Sequence, residues 1–329
     1  MGSAGDLVPI VRIREKRIMA FGTYKLKFEL APHTISTNAA TRVGRQRSHG
    51  GSRGAEDRRT VQNTFKETEV QYADFENKVA LITGASGGLG LRVAEKLAAN
   101  GAIVVINSRS EEKGEKAVAE LKKVSDRVSF VIGDTTDYEA TLKVASAAAA
   151  INGGIDVVVS SGAQGAVRPM PFADMSGSEL VSAFNSRFFA RIFPVHAALP
   201  YLRVRGGSVV MVGTDAGRHA TPGESVVGAF GAGVILMTKT LAKEFSRWQI
   251  RVNSVSLTLT SDTPSWDRIF GEKTFQTGLF SKALERFPSG RAPTAEEVAR
   301  VAVFLASDQS SQVTGQTVSV NGGLSFGGW

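Results

Sequence analysis

The run that most narrows the fold of this chain is Lys78-Val-Ala-Leu-Ile-Thr83, which passes without a break into Gly84-Ala-Ser-Gly-Gly-Leu-Gly90. A short apolar run bounded by glycines reads as a buried strand, and the residues from about Leu91 onward read as a helix. Small residues between the two let the backbone turn tightly and approach a ligand, while the helix N-terminus offers unpaired N–H groups to an anion. Gly84, Ser86, Gly88, Leu89 and Gly90 are therefore candidate contacts for the pyrophosphate of a dinucleotide. The alternative is a tight strand-to-helix turn that holds no ligand.

Strand-like and helix-like stretches alternate beyond this loop. Strands are expected at 78–83, 102–106, 127–132, 155–160, 207–212, 250–256 and 317–320, and helices at 111–124, 138–151, 175–202 and 224–245, with a last helix capped by Thr294. Regular alternation of this kind predicts an α/β fold, a Rossmann-type doubly wound parallel sheet of about seven strands covered by helices on both faces. There are no cysteines, which excludes disulfides and thiolate metal sites and fits a reducing compartment such as the cytoplasm. The histidines at 33, 49, 196 and 219 have no metal-ligand spacing, and no run of apolar residues reaches the length of a membrane span.

A net charge of +8 invites a nucleic-acid reading until the charge is located. Residues 1–75 carry 13 Lys/Arg against 8 Asp/Glu, leaving 26 against 23 for the other 254 residues, so the main domain is close to neutral. Residues 33–59 are rich in Ser, Thr, Gly and Arg and almost devoid of large apolar side chains, a composition that cannot repay the entropy of ordering. Residues 1–75 are expected to form a basic, flexible extension and 76–329 the folded domain. The extension reads as a disordered arm, an over-long translation start, or a transit peptide; its acids at 6, 15, 29, 56 and 57 argue against the last. Nucleic-acid binding ranks last, because the arm lacks interleaved aromatics.

The glycine loop differs by one residue from the general dinucleotide fingerprint and resembles the Thr-Gly-x-x-x-Gly-x-Gly loop of the short-chain dehydrogenase/reductase family. Further segments share the resemblance: Gly133-Asp134-Thr135 after the third strand, Asn185 in the Ala183-Phe-Asn-Ser-Arg segment, Arg251-Val-Asn-Ser-Val, and Val313-Thr-Gly-Gln-Thr-Val-Ser-Val-Asn-Gly-Gly323. Together they cover about residues 76–324. The resemblance implies an NAD(P)-linked oxidoreductase in which Asp134 and Thr135 face the adenine and Asn185 sits in the active-site helix. At the end of the second strand, Asn107-Ser108-Arg109 lacks the acid that would pair the ribose hydroxyls, and Arg109 suits a 2′-phosphate, favouring NADP over NAD. The opposing reading makes Arg109 a solvated loop residue.

Family members move a proton with a Tyr-x-x-x-Lys pair, the lysine charge lowering the tyrosine pKa, assisted by a serine one strand earlier. Counting along the matched segment puts Thr214 at the serine, Val227 at the tyrosine and Gly231 at the lysine position. The tyrosines, at 24, 72, 138 and 201, all lie before this helix, and none has lysine four residues later. The nicotinamide side also departs at Ser160-Ser161-Gly162-Ala163 and at Leu257-Thr258, whereas Gly84, Gly88, Gly90 and Asp134 keep the family pattern. The expectation is a pseudoenzyme with no catalytic residue of its own and weak or absent cofactor binding. It would act as a subunit beside a catalytically complete paralogue, similar to the paired alcohol dehydrogenase of anaerobic toluene breakdown. The helix at 224–245, where Val226, Ala229, Phe230, Val234 and Met237 alternate with Gly228, Gly231 and Gly233, is expected to form the interface to that paralogue or to a second copy. The alternative is an atypical NADP(H) reductase or cyclase using Asp215, His219 or Glu224 of the preceding loop, with Arg218 beside them.

Overall fold

The computed structural model describes residues 71–162, 168–271 and 273–326. The extension expected over residues 1–75 lies almost wholly outside them. Of its last residues, Tyr72 and Phe75 are buried in the hydrophobic core, so the packed domain takes in residues upstream of position 76.

Seven strands form one parallel sheet in the order β3-β2-β1-β4-β5-β6-β7. They are β1 (Val79–Thr83), β2 (Ile103–Ser108), β3 (Val128–Ile132), β4 (Val157–Ser160), β5 (Gly207–Thr214), β6 (Ile250–Leu257) and β7 (Thr317–Ser319). β1 is buried at every position, the pattern of a strand covered on both faces. The covering helices are α1 (Gly88–Ala99), α2 (Glu111–Leu121), α3 (Tyr138–Asn152), α4 (Gly177–Phe184), α5 (Ala190–Arg205), α6 (Ser225–Phe245), α7 (Pro264–Phe270), α8 (Phe275–Leu284) and α9 (Ala295–Ala306). Ala80, Ile82 and Val104 pack with α1 and α9 on one face, and Leu81, Val105 and Val158 pack with α3, α5 and α6 on the other. Thr294 caps α9 as expected, its hydroxyl accepting from Glu297 N while the Glu297 carboxylate accepts from Thr294 N.

Two expectations need correction, and two helices went unforeseen. The single helix read over 175–202 is two helices joined by a π turn at Asn185–Phe189, which changes which side chains face the core. α7 and α8 escaped the sequence reading because they are short and form a separate small core of Leu259, Phe280 and Phe287. The glycines of α6 do not make an open helix-packing surface. A Cβ at Gly228 would lie 2.8 Å from Ala216 O, one at Gly231 2.7 Å from Thr214 Cγ2, and one at Gly233 2.7 Å from the Phe188 ring. Phe230 and Val234 are likewise buried within the chain. The α6 residues left outward include Ala229 and Leu236, the latter 63% exposed. By length and composition the stretch Ser225–Trp248 is apolar enough to cross a membrane, but its inner face is the wall of the core against β5 and β6.

Candidate functional site

The strand order reverses between β1 and β4, and in open parallel sheets the crevice beyond that reversal is where ligands sit. The glycine loop lies at this point. Gly84 has φ +68°, and a Cβ there would stand 2.5 Å from Gly162 O at the end of β4. A Cβ at Gly90 would meet Gly84 O at 2.6 Å, so α1 packs too closely on the loop for any side chain. Gly87 caps α1 without a side chain and the first turn carries no acid, which leaves its positive end available to an anion. Pro264 and Thr263, at the start of α7, lie against this loop: a Cβ at Gly88 would be 3.1 Å from Pro264 Cδ.

The other candidate binding residues converge at the ends of β1, β2 and β3. Ser108 Oγ donates to Ser86 Oγ at 3.0 Å. Asp134 accepts from Thr136 N at 2.9 Å and from Thr136 Oγ1 at 2.8 Å, Thr135 is buried beside it, and Arg109 Nη1 stands 3.8 Å from Asp134 Oδ2. The glycine cradle, the uncapped helix end and this polar rim fit the adenosine-diphosphate half of a dinucleotide. Arg109 is exposed, and among the described residues that loose pair is its one ionic contact, so it can turn to a phosphate. Arg109→Ala is expected to weaken NADP roughly tenfold more than NAD, on the scale of one charge-assisted hydrogen bond, as read by fluorescence titration of the two cofactors.

The opposite half of the crevice is different. Val227 and Gly231 lie about one helical turn apart on α6, and Gly231 faces the end of β5. Gly231 is pressed against Thr214 and Gly217, and Thr214 Oγ1 accepts from Ala216 N at 3.3 Å. Val227 lines a small pocket with Val226, Met170, Met175 and Arg187, whose interior of about 10 Å³ has room for roughly one water. Asn185 is exposed at the start of the π turn, and Arg187, two residues on, lines the pocket wall.

Of the loop residues offered as substitutes for chemistry, Asp215 is committed to structure. It is 2% exposed and accepts from Ser319 Oγ at 2.7 Å and Asn321 Nδ2 at 2.5 Å, with Arg218 Nη1 3.7 Å away. Arg218 continues the tie through Thr317 O at 2.9 Å, so this network fastens the edge strand β7. His219 has its Nε2 buried with no hydrogen-bond partner among the described residues. Glu224, which caps α6, sits differently: burial pushes its carboxyl up to about 7, against the opposing pull of Arg187 and a hydrogen bond from Thr221. It adjoins the pocket through Gly223 and Val226.

Sequence reasoning also missed Arg191. Its guanidinium is buried, with Nε donating to Val212 O at 2.5 Å, Nη1 to Arg187 O at 2.6 Å, and the group 4.9 Å from the centre of the Phe230 ring. Burial, and then the neighbouring Arg187, lower its pKa to about 10. Gly162 packs directly on this side chain.

A parallel sheet with a glycine cradle at its order reversal defines a nucleotide-binding α/β protein. Residues 84–325 match the family described as enoyl-(acyl carrier protein) reductase. The chain is 35% identical over 250 residues to 3-oxoacyl-[acyl-carrier-protein] reductase of Thermotoga maritima, a match covering 76% of this chain and 98% of the relative. Among solved structures it is similar to a short chain dehydrogenase/reductase family protein, with 32% identity, a TM-score of 0.66 and coverage of 76% and 98%. It is also similar to a short chain oxidoreductase of Pseudomonas aeruginosa described as containing an atypical catalytic center, with 29% identity, a TM-score of 0.70 and coverage of 78% and 99%. The chain belongs to the short-chain dehydrogenase/reductase family of oxidoreductases, whose members typically use NAD(P).

Proposed function

We propose that this chain is a non-catalytic, cytoplasmic subunit that supports a catalytically complete paralogue in NAD(P)-dependent alcohol or ketone chemistry, and that it binds the dinucleotide weakly, through its adenosine half. The observation that carries this reading is the packing of Gly231 on Thr214 and Gly217. No lysine stands there to lower the pKa of a proton donor, and Val227 has no proton to give. Val181 on α4 and Leu236 on α6 support it, 61% and 63% exposed on two helices that pack together, which offer apolar surface to a neighbouring subunit. Co-expression with the organism's complete Tyr/Lys paralogues, followed by native mass spectrometry, is expected to give a stable hetero-oligomer. A wild-type chain that stays monomeric beside every such paralogue would overturn the subunit role. Leu236→Arg is expected to dissociate the complex with the monomer still folded, whereas Gly228→Leu, which strikes Ala216 O, would damage the monomer itself.

Glu224 favours a second reading, an atypical NADP(H) reductase or cyclase. A carboxyl raised to about 7 holds its proton near neutral pH, one turn before the position where the family keeps its tyrosine. A reduction that declines as pH rises through 7 and disappears in Glu224→Gln would establish this reading in place of the first.

A further inference from the structure

We infer that the pocket bordered by α4, the π turn and the start of α6 is a carboxylate subsite, in which Arg187 takes the acid group of a ligand with an apolar body. Three features of the chain meet there. The first is the π turn. Such turns are rare and concentrate at functional sites. Here the turn brings Arg187 into the pocket wall, and the buried Arg191 braces it by donating to Arg187 O and Val212 O. The second is charge. Arg168 lines the same pocket, and Arg268 lies near enough to act on Arg187. Glu224 opposes Arg187, but burial keeps its carboxyl part-protonated near neutral pH, so the site keeps a positive balance.

The third feature is the rest of the wall, formed by Met170, Met175, Val226 and Val227. A guanidinium fork matches the plane and the two oxygens of a carboxylate. Inorganic phosphate would bring a more strongly hydrated body against thioether and aliphatic groups that offer it nothing. The pocket as it stands admits about one water, and the two methionines, unbranched and adaptable, are the wall elements that can swing to enlarge it. Anion binding does not depend on the subunit reading, because a chain that transfers no hydride can still hold an acid.

Isothermal titration calorimetry on the full-length chain, with hexanoate, hexanamide and inorganic phosphate as probes, tests the subsite. Hexanoate is expected to bind saturably, and hexanamide and phosphate at least tenfold more weakly. Arg187→Met should cost hexanoate at least tenfold and Arg187→Lys less. Glu224→Gln, which removes the internal competing carboxylate, should tighten hexanoate at pH 8. Circular dichroism monitors folding; should Arg187→Met fail to fold, Arg187→Lys and Glu224→Gln decide in its place. The subsite is refuted by absent saturable binding of hexanoate, by equal binding of acid and amide, by phosphate binding as tightly as hexanoate, or by unchanged affinity in a folded Arg187→Met chain. Assembly with a paralogue bears on the subunit role alone, so the two can fail separately.

Discussion

Replacing Asp215 with alanine is expected to destabilise the domain by about 3–5 kcal/mol, the cost of removing one partner from a buried charged network. The carboxylate accepts from Ser319 and Asn321, and it faces Arg218, which in turn holds Thr317 O. Alanine would leave the Arg218 guanidinium buried without its counter-charge and free the edge strand β7 from the turn after β5. Ser319→Ala removes the hydrogen bonds with Asp215 and Arg218, and Asn321→Ala those with Asp215, Ser325 and Gly323; each should cost about 1–2 kcal/mol. Because all three share one network, their effects should not add. Urea unfolding followed by tryptophan fluorescence measures this directly. A folded Asp215→Ala protein within about 1 kcal/mol of wild type would return Asp215 to the list of groups available for chemistry.

The isolated protein is expected to show no measurable NAD(P)H-linked oxidation or reduction across alcohols and ketones, since loss of the proton-transfer group costs on the order of 10²–10⁴ in rate. Writing the pair back should not repair it. In Val227→Tyr/Gly231→Lys, the new lysine Cβ would fall 2.7 Å from Thr214 Cγ2 and 3.0 Å from both Thr214 O and Gly217 N. Two of those three atoms belong to the backbone, which cannot rotate aside, so α6 must shift away from β5. Overpacking of this kind costs about 1–3 kcal/mol. The double variant is therefore expected to melt at lower temperature and remain inactive, as followed by NADPH absorbance and thermal denaturation. Recovery of turnover without loss of stability would mean that the crevice retains everything but the two side chains.

Much of the fold was legible because its signals are local. The run at 78–83, the glycines at 84–90 and the alternation of strands with helices specify buried parallel strands by periodicity alone, and Thr294 with Glu297 states a helix start in four residues. The cradle was legible in part for the same reason: Gly90 is required by its close approach to Gly84 O within the turn, whereas the close approach at Gly84 is to Gly162 O, which only the folded sheet brings there. α7 and α8 were not legible. Their stability comes from Leu259, Phe280 and Phe287, contributed by different segments, and short helices carry little periodic signal.

The catalytic half of the site divides along the same line. That Val227 and Gly231 cannot exchange a proton follows from side-chain chemistry, and composition alone excludes a cysteine nucleophile. Which face of a helix a residue occupies does not follow. Resemblance to the family put Asn185 in the active-site helix, and only the structure shows the π turn that begins there and sets Arg187 in a pocket wall. The glycines of α6 read in sequence as surface for a partner, and packing shows them to be seats for Ala216, Thr214 and Phe188. Asp215 looked like a polar loop residue until β7, more than a hundred positions along the chain, brought Ser319 and Asn321 to its carboxylate. Sequence by itself determined the strands and the tight turn that opens α1, because each depends on neighbours in the chain. Tertiary structure decided which charges are buried and what they face, because burial and pairing are set by residues that meet only after the chain has folded.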